Sequence, residues 1–411
     1  RPAGLSSAGS TARPGRRPVP FSLMDGIGGG AALQPGRRRY LPELDDLRAV
    51  AIAGVVTIHG IIPLLYHGRT TFTYNYGLLL NQLARYCVPL FLLLAAFLVT
   101  YHHDFKAPGT FGPFIRRRLL RVAVPYAVWT LFGILERRPH GIGAWLRTIF
   151  LGQGYYGQLY FVPLIMQLYL LSPLVYRAIA HRYRRCTVAG LMAAQALLVV
   201  LYQLTYLHIV GLPTTVQAAL DAYVQPLFPV WIGYWALGMF LGLSYSHFAR
   251  WVSSLRPAPL AVAWAAAACW VLADVYWSIG ITGTPISQAT NFFRISVVVF
   301  SLVSMLAFFR WTLSDWHGTR RRGPFGKALQ LLGQHSFGVY LVHIFVQRRL
   351  QAISWTAGLF NTWYGCTLAI ALILLLSLGL SVLLSRLRWG WLLVGTSTRG
   401  QYERTRPAVG A

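Results

Sequence analysis

Charged residues are scarce in this chain. Only 11% of its 411 residues are Asp, Glu, Lys or Arg, while 55% are hydrophobic. An ordinary soluble domain carries about a quarter of its residues as charged side chains. The mean hydropathy of +0.50 agrees with the shortage of charge. The composition therefore excludes an ordinary soluble domain and predicts a membrane protein.

Acidic residues are the rarer of the two charged types. Ten Asp and Glu stand against 37 Lys and Arg, which leaves a net charge of +27 at pH 7. Such a charge could indicate a nucleic-acid partner. The arginines, however, fall between apolar runs instead of lining one face, and this is the pattern of membrane topology. We therefore expect no nucleic-acid partner.

Cysteines are few and far apart. The chain has four, with no close spacing between any two: Cys87, Cys186, Cys269 and Cys366. No disulfide framework or zinc motif follows from this spacing. The sequence also contains no other metal-binding motif, no phosphate-binding glycine loop and no serine-hydrolase elbow. We therefore expect neither a metal site nor a covalent serine intermediate.

The distribution of apolar residues divides the chain into three regions. Residues 1–40 are rich in Arg, Pro, Gly and Ser and have no hydrophobic period, which predicts a disordered basic tail. Residues 41–390 form the predicted membrane domain, and residues 391–411 a cytoplasmic C-terminal tail. Because the chain opens on Arg1 instead of Met, Met24 is a candidate for the true start.

The membrane domain contains about ten apolar runs that are long enough to cross a bilayer. This predicts an all-α, multi-pass bundle of about ten transmembrane helices in the cell (plasma) membrane. The predicted spans are 47–66, 84–101, 119–135, 158–176, 187–208, 226–244, 258–279, 291–310, 333–351 and 363–385.

The most unusual stretch of the chain is residues 41–61, LPELDDLRAVAIAGVVTIHGI. It begins with acids and Arg48 and runs into apolar sequence that contains one histidine, His59. Eleven helical steps place both side chains on nearly one face, roughly 16.5 Å apart along the axis, with His59 toward mid-bilayer. His59 could be a general base or could make an interhelical hydrogen bond. The register with Arg48 favours the base.

Two further groups of residues could bind substrate. Arg118 and Arg121 share a helix face, and clustered guanidinium groups suit a phosphorylated ligand, although positive-inside anchoring is the alternative. Tyr340 and His343 share a face of a late span, where they could bind an acceptor sugar or only pack in the bundle. Asp274 and Arg294, by contrast, are expected to form a structural ion pair.

Five motifs in order resemble those of the membrane-bound acyltransferase 3 family. They cover residues 41 to about 385 and are LPELDDLRAVAIAGVVTIHG, VPLFLLLAAFLV, FIRRRLLRVAVPYAVWTLF, GQLYFVPLIMQLYLLSPLV and LGQHSFGVYLVHIFV. The fourth is similar to the branch that acts on surface polysaccharides, the intercellular-adhesion acyltransferase-like proteins.

The resemblance implies O-acylation of a hydroxyl on a cell-surface carbohydrate or related acceptor. Acyl-CoA would be the co-substrate, carrying an acetyl or a succinyl group, and no bound cofactor is implied. It carries the family's arginine and histidine onto Arg48 and His59, and its Arg-x-x-Arg element onto Arg118 and Arg121.

This chain departs from the family pattern at two places. Ala95-Ala96-Phe97 stands where Ser-Gly-Phe is common, and Gln158-Leu159-Tyr160-Phe161 stands where His-Leu-Trp-Phe is common. The second change bears on the acceptor, so Gln158 and Tyr160 are expected to contact it. The sequence leaves open a polysaccharide exporter or flippase, and a non-catalytic membrane subunit of a polysaccharide synthase complex. It leaves the oligomeric state open as well.

The distribution of basic residues predicts that both termini are cytoplasmic. Of the 37 Lys and Arg, 29 fall in the two terminal regions and in alternate connections, and 8 fall in the remaining connections and their edges. Cytoplasmic loops carry the excess of basic residues. Reporter fusions after Ala411 and in the 280–290 loop should therefore report opposite sides of the membrane. An extracytoplasmic C-terminus would contradict this topology.

Overall fold

The computed structural model describes residues 40–102, 105, 109–181, 183–314 and 323–395. Every regular element in these residues is helical, and no strand occurs among them. The predicted disordered tail, up to residue 39, lies outside the described residues, as does the predicted C-terminal tail after residue 395.

Eighteen α-helices and four short 3₁₀ helices follow one another along the described chain. The α-helices are α1 Pro42–Gly60, α2 Phe72–Leu83, α3 Cys87–His102, α4 Phe111–Glu136, α5 Ile142–Leu151, α6 Phe161–Ile179, α7 Arg184–Tyr206, α8 Thr214–Tyr223, α9 Ile232–Leu243, α10 Tyr245–Ser254, α11 Pro257–Gly280, α12 Ile286–Ala289, α13 Ile295–Thr312, α14 Pro324–Gln334, α15 Ser336–Ala352, α16 Ser354–Ala357, α17 Trp363–Arg386 and α18 Trp391–Val394. The 3₁₀ helices are Ile62–Tyr66, Gly157–Tyr160, Phe228–Trp231 and Gly358–Asn361.

These helices form eight segments long and apolar enough to cross a membrane, or up to ten if two bent pairs each count as one span. The bent pairs are α8 with Phe228–Leu243, at 54°, and α14 with α15, at 82°. The prediction of an all-α bundle of about ten spans is confirmed. One boundary differs clearly: the second span begins at Phe72 and runs to His102, not from residue 84.

Prolines explain some of the helix starts. Pro89 and Pro163 lie in the first turns of α3 and α6, where a missing N–H leaves no helical hydrogen bond unmade. Pro125 lies inside α4. A proline at such a depth requires neighbouring helices to satisfy the freed carbonyl.

Helix α1 occupies the interior of the bundle. Its apolar residues recur on every side, so it can be surrounded completely by apolar neighbours. It packs against α3, α13, α14, α15 and α17. The outer helices are different: only 22% of the apolar windows of α7, α11 and α17 is buried, against 61% for the span that contains α1. Their exposed leucine faces are suited to lipid.

The start of α1, the α14–α15 bend and the first half of α4 lie at one end of the bundle. A side chain at Gly333, just before the bend, would overlap the backbone of Asp45 in α1. Gly395 lies against the ring of Phe337 at the start of α15 and against the backbone of Arg121 in α4. The arginines of the α1 and α4 motifs therefore belong to the same end.

Helices α3 and α9 make the most extensive contact between two helices of the bundle. Gly238 and Gly242 are four positions apart on α9 and rest on the backbone carbonyls of Leu93 and Phe97. Small residues at this spacing let two membrane helices approach until their backbones touch. The helices can approach this closely only while both positions lack side chains.

Substitution of Gly238 by leucine should separate α3 from α9. Overpacking of a close contact typically costs about 1–3 kcal/mol, and more where a backbone must move. We expect a lower thermal unfolding midpoint for Gly238→Leu in detergent micelles. The matched control is Gly190→Leu, because Gly190 lies in α7 with no atom near the position of its Cβ. Equal midpoints for the two variants would contradict the assignment of this contact.

Candidate active site

His59 lies in the last turn of α1, where the helix gives way to the 3₁₀ turn Ile62–Tyr66. Its imidazole faces the imidazole of His343 from α15, with the ring centroids 5.2 Å apart. His59 is partly exposed, whereas His343 is fully buried. None of the described residues makes a hydrogen bond to the His59 ring. A partly open imidazole without a protein partner is available to a ligand.

The tautomer of His343 follows from its surroundings. Its Nδ1 lies 2.7 Å from the carbonyl oxygen of Tyr340, one turn earlier on α15. A carbonyl can only accept, so Nδ1 carries the proton and Nε2 is left with a lone pair. That Nε2 is buried and has no hydrogen-bond partner among the described residues. This buried lone pair can accept a hydrogen bond from a ligand hydroxyl or from water.

Tyr340 connects α15 to the segment before α6. Its hydroxyl donates to the backbone carbonyl of Gln158, and its ring packs against Phe161, with centroids 5.6 Å apart. The amide group of Gln158 is buried, and neither its oxygen nor its nitrogen has a partner among the described residues. The backbone of this residue is therefore fixed while its side chain remains available for hydrogen bonding.

A cavity of about 380 Å³ opens beside His59. Three glutamines contribute to its lining, Gln158, Gln347 and Gln351, together with Arg348. Gln347 donates from Nε2 to the His59 carbonyl oxygen at 3.1 Å, and its own Oε1 is buried without a partner. Amide groups both donate and accept, so this lining suits a ligand rich in hydroxyl groups.

Aromatic and charged residues hold one side of this cavity. The Arg348 guanidinium stacks on the Tyr155 ring at 3.7 Å and donates to the Tyr155 carbonyl oxygen at 2.8 Å. Next to it, the Tyr156 hydroxyl donates to Glu136 at 2.6 Å, and Glu136 also pairs with Arg349. This network ties the end of α15 to the end of α4 and orders the wall of the cavity.

Arg48 lies at the other end of α1. It pairs with Asp45 at 2.8 Å, and the Tyr40 hydroxyl donates to the same carboxylate. Burial and the neighbouring Asp45 raise the pKa of Tyr40 to about 12, so this hydroxyl remains a donor at neutral pH. Asp45 thus orients the arginine. The cation remains partly exposed, at 29% of its side-chain surface.

The Arg-x-x-Arg element lies on the first half of α4. The Arg118 guanidinium lies near the rings of Phe114 and Tyr169, at 5.8 and 5.9 Å from their centroids. Arg121 is exposed, while Arg118 is partly buried. Both lie at the same end of the bundle as Arg48, and neither lines the His59 cavity.

The structure thus divides the predicted site residues into two sets. One set comes together from three separate segments and consists of His59, Gln158, Tyr340 and His343. The other set lies at the arginine end of the bundle and consists of Arg48, Arg118 and Arg121. Of the first set, His59 and Gln158 line the cavity, while Tyr340 and His343 lie behind it. Tyr160 is also buried and does not line the cavity.

Sequence reasoning missed three lining residues, Gln347, Arg348 and Gln351. They follow one another on the last turns of α15, within the otherwise apolar run that ends VHIFVQRRLQ. The sequence did contain a signal for them, because Gln347 and Gln351 follow His343 at steps of four and so share its helix face. Arginines near a span end, however, also fit simple anchoring at the membrane surface.

Other polar clusters have a structural explanation. Arg294 donates from Nε to Asp274 at 2.9 Å and makes further bonds to Ala289 and Ser278, as the predicted ion pair requires. Within the described part of the chain, no three His, Cys, Asp or Glu side chains are grouped so that they could hold a metal ion.

Comparison with protein families places this site in a known context. Residues 41–386 match the family described as acyltransferase domain, the acyltransferase 3 family. No curated protein and no solved structure matches the chain. The match includes both arginine motifs, His59 and every residue that lines the cavity. This multi-pass membrane protein therefore belongs to the acyltransferase 3 family.

Proposed function

We propose that this protein transfers an acyl group from acyl-CoA to a hydroxyl of a cell-surface carbohydrate. The observation that carries the proposal is the cavity beside His59. It brings three glutamine side chains next to an imidazole that makes no hydrogen bond to any described residue. An acceptor rich in hydroxyl groups would satisfy amide atoms that are otherwise unpaired. Membership in the acyltransferase family supplies the reaction class.

The acceptor would enter from the end of the bundle opposite the arginine motifs. The cavity is lined by the end of α1, the turn that follows it and the last turns of α15. Arg48 and His59 are roughly 16.5 Å apart along α1, about half of a hydrocarbon core. With the N-terminus of α1 in the cytoplasm, the acceptor would reach His59 from the outer side.

His59 would act as the general base. It would take the proton of the acceptor hydroxyl as that oxygen attacks the thioester carbon. His343, held by the Tyr340 carbonyl, would position the His59 ring by packing against it. No covalent intermediate on the protein is required, because the two substrates can react directly once they are held together.

The donor would be held by its phosphates at the arginine end. Arg118 and Arg121 present two guanidinium groups on one face of α4, and Arg48 lies at the same end of the bundle. Guanidinium groups bind phosphate through charge-assisted hydrogen bonds. The long pantetheine arm of CoA would then extend along the bundle interior and bring the thioester to His59. We propose acetyl-CoA as the donor, with succinyl-CoA as the alternative.

Substitution of His59 by glutamine tests the proposed base. Glutamine keeps hydrogen-bonding capacity but takes up no proton near neutral pH. General-base help contributes about a hundred- to ten-thousandfold, so His59→Gln should slow acyl transfer by a factor in that range. The measurement is turnover of purified protein with acetyl-CoA and a polysaccharide acceptor.

The matched control for this test is His140→Gln, because His140 is exposed in the connection between α4 and α5. It should transfer at the wild-type rate. Wild-type turnover by His59→Gln would reduce His59 to a structural role. If the wild-type protein itself transfers nothing while it supports polysaccharide export, the exporter interpretation replaces the enzyme.

Substitution of Arg121 by alanine tests the donor site. Each lost charge-assisted bond to phosphate is worth roughly 1.5–3 kcal/mol, so Arg121→Ala should weaken acyl-CoA binding by about ten- to a hundredfold. Arg118→Ala should act alike. Arg117→Ala is the control, because Arg117 is an exposed neighbour that hydrogen-bonds the backbone of Pro113. CoA affinity is measured by titration calorimetry. Wild-type affinity in all three variants would mean that the cluster only anchors α4 at the membrane surface.

A further inference from the structure

Arg85 is a buried cation in the middle of the second span. It lies in the turn between α2 and α3, within the 31-residue segment Phe72–His102, and only 7% of its surface is exposed. A charge at such a depth costs several kcal/mol unless a partner compensates for it, and it usually serves a function. The partners of Arg85 therefore decide how it should be interpreted.

The protein gives Arg85 very little compensation. Its Nη2 donates to Asn81 Oδ1 at 2.6 Å, and the guanidinium lies 4.6 Å above the Phe292 ring. Its Nε is buried and has no partner among the described residues. A guanidinium carries five N–H donors, and the described side chains and backbone take only one of them. No carboxylate of the described chain pairs with it.

Arg294 provides an internal comparison. It is fully buried, yet Asp274 neutralises it, and it donates to Ala289 and to Ser278 as well. That is how this fold satisfies an arginine whose role is structural. Arg85 has no such partner among the described residues, and a bound anion or developing negative charge would supply the missing counter-charge.

The turn that contains Arg85 lies directly against α1, the helix that carries the proposed base His59. Gly54 of α1 contacts Cys87, and the Tyr86 hydroxyl lies 3.4 Å from the Val50 carbonyl oxygen. From helix α3, which follows this turn, the Phe91 ring lies 6.3 Å from the Phe161 ring, which packs against Tyr340. Arg85 therefore lies in the same interior region of the bundle as the base.

We propose that Arg85 is a catalytic residue that stabilises the negative charge developing on the acyl carbonyl oxygen during transfer. This inference rests on the proposed acyltransferase function. Oxyanion stabilisation needs a donor that is already in place and shielded from water. Asn81 and the Phe292 ring hold the guanidinium in one position, and burial keeps its charge from being screened.

The charges balance at each step of the reaction. The acceptor oxygen forms a bond to the thioester carbon as its proton passes to His59, and the carbonyl π electrons move onto the oxygen beside Arg85. The oxyanion then re-forms the carbonyl, the carbon–sulfur bond breaks, and the thiolate of CoA takes the proton from His59. The products are the acylated acceptor and free CoA, and no oxidant or further reactant is needed.

The test compares Arg85→Met and Arg85→Lys with the wild-type protein, using acetyl-CoA and succinyl-CoA in turn. Loss of one oxyanion donor typically costs about 10²–10³ in kcat. Arg85→Met should show that loss with both donors, while KM for each changes less than about threefold. Arg85→Lys keeps the charge and should recover part of the rate. Arg69→Met, at an exposed arginine outside the spans, is the activity control.

Thermal unfolding in detergent provides the second readout. Because Arg85 is an uncompensated buried charge, Arg85→Met should unfold at or above the wild-type temperature. Arg294→Met, which leaves the half-buried Asp274 carboxylate without its cation, should unfold below it. Together, a slower Arg85→Met enzyme of undiminished stability and a destabilised Arg294→Met protein would support the proposal.

Three results would overturn it. The first is an Arg85→Met protein that keeps the wild-type kcat. The second is one that fails to insert or unfolds as early as Arg294→Met, which would make Arg85 structural. The third is a defect seen only with succinyl-CoA, which would mean that Arg85 binds an acyl carboxylate. If the wild-type protein itself transfers no acyl group, the proposed acyltransferase function is wrong, and the role of Arg85 falls with it. The two failures are distinguishable because failure of the acyltransferase function is seen without any substitution.

Discussion

The structure depends on one constraint: a polar group inside this bundle cannot turn to water and must find its partner in protein or ligand. Some buried or half-buried polar side chains find their partners within the protein. Asp45 holds both Arg48 and Tyr40, and Asp274 holds Arg294. The constraint is left unmet around His59, where amide and imidazole atoms are buried without partners. Unpaired buried atoms occur elsewhere in the described chain as well, at Tyr206 and Trp235 for example, so it is their position beside a cavity that distinguishes the region around His59.

The number of spans and several site residues could be predicted from the sequence, because each is a local property. An apolar run of sufficient length predicts a span, and a histidine inside one is conspicuous. The meeting of His59 with His343 could not be predicted in this way. Helix α1 is apolar on every side, so its sequence does not indicate which neighbour each face will meet. The hydrogen bond from the Tyr340 hydroxyl to the Gln158 backbone carbonyl could not be predicted either, because every residue has that carbonyl.

Arg85 shows why hydropathy misplaces a buried polar residue. Asn81 and Gln82 interrupt the second apolar run, so the sequence pattern starts the span near residue 84 and puts Arg85 at its edge. In the structure the membrane-spanning segment begins at Phe72, and Arg85 lies well inside it. The sequence of α15 misleads in the same way, because its polar cluster reads as the end of a span. That cluster consists of Gln347, Arg348 and Gln351. In sequence, a polar cluster inside a span resembles the end of a span.

The close contact between α3 and α9 also bears on how the protein can move. With Gly238 and Gly242 resting on the carbonyls of Leu93 and Phe97, these two helices have no room to rotate or slide independently. They act as a single rigid body, and Arg85 lies at the end of it that adjoins α1. Any opening that admits a bulky glycan must therefore come from displacement of other helices, with α15 the nearest because it carries one wall of the cavity. During a catalytic cycle the α3–α9 side of the bundle would remain stationary while the α15 wall of the cavity moves.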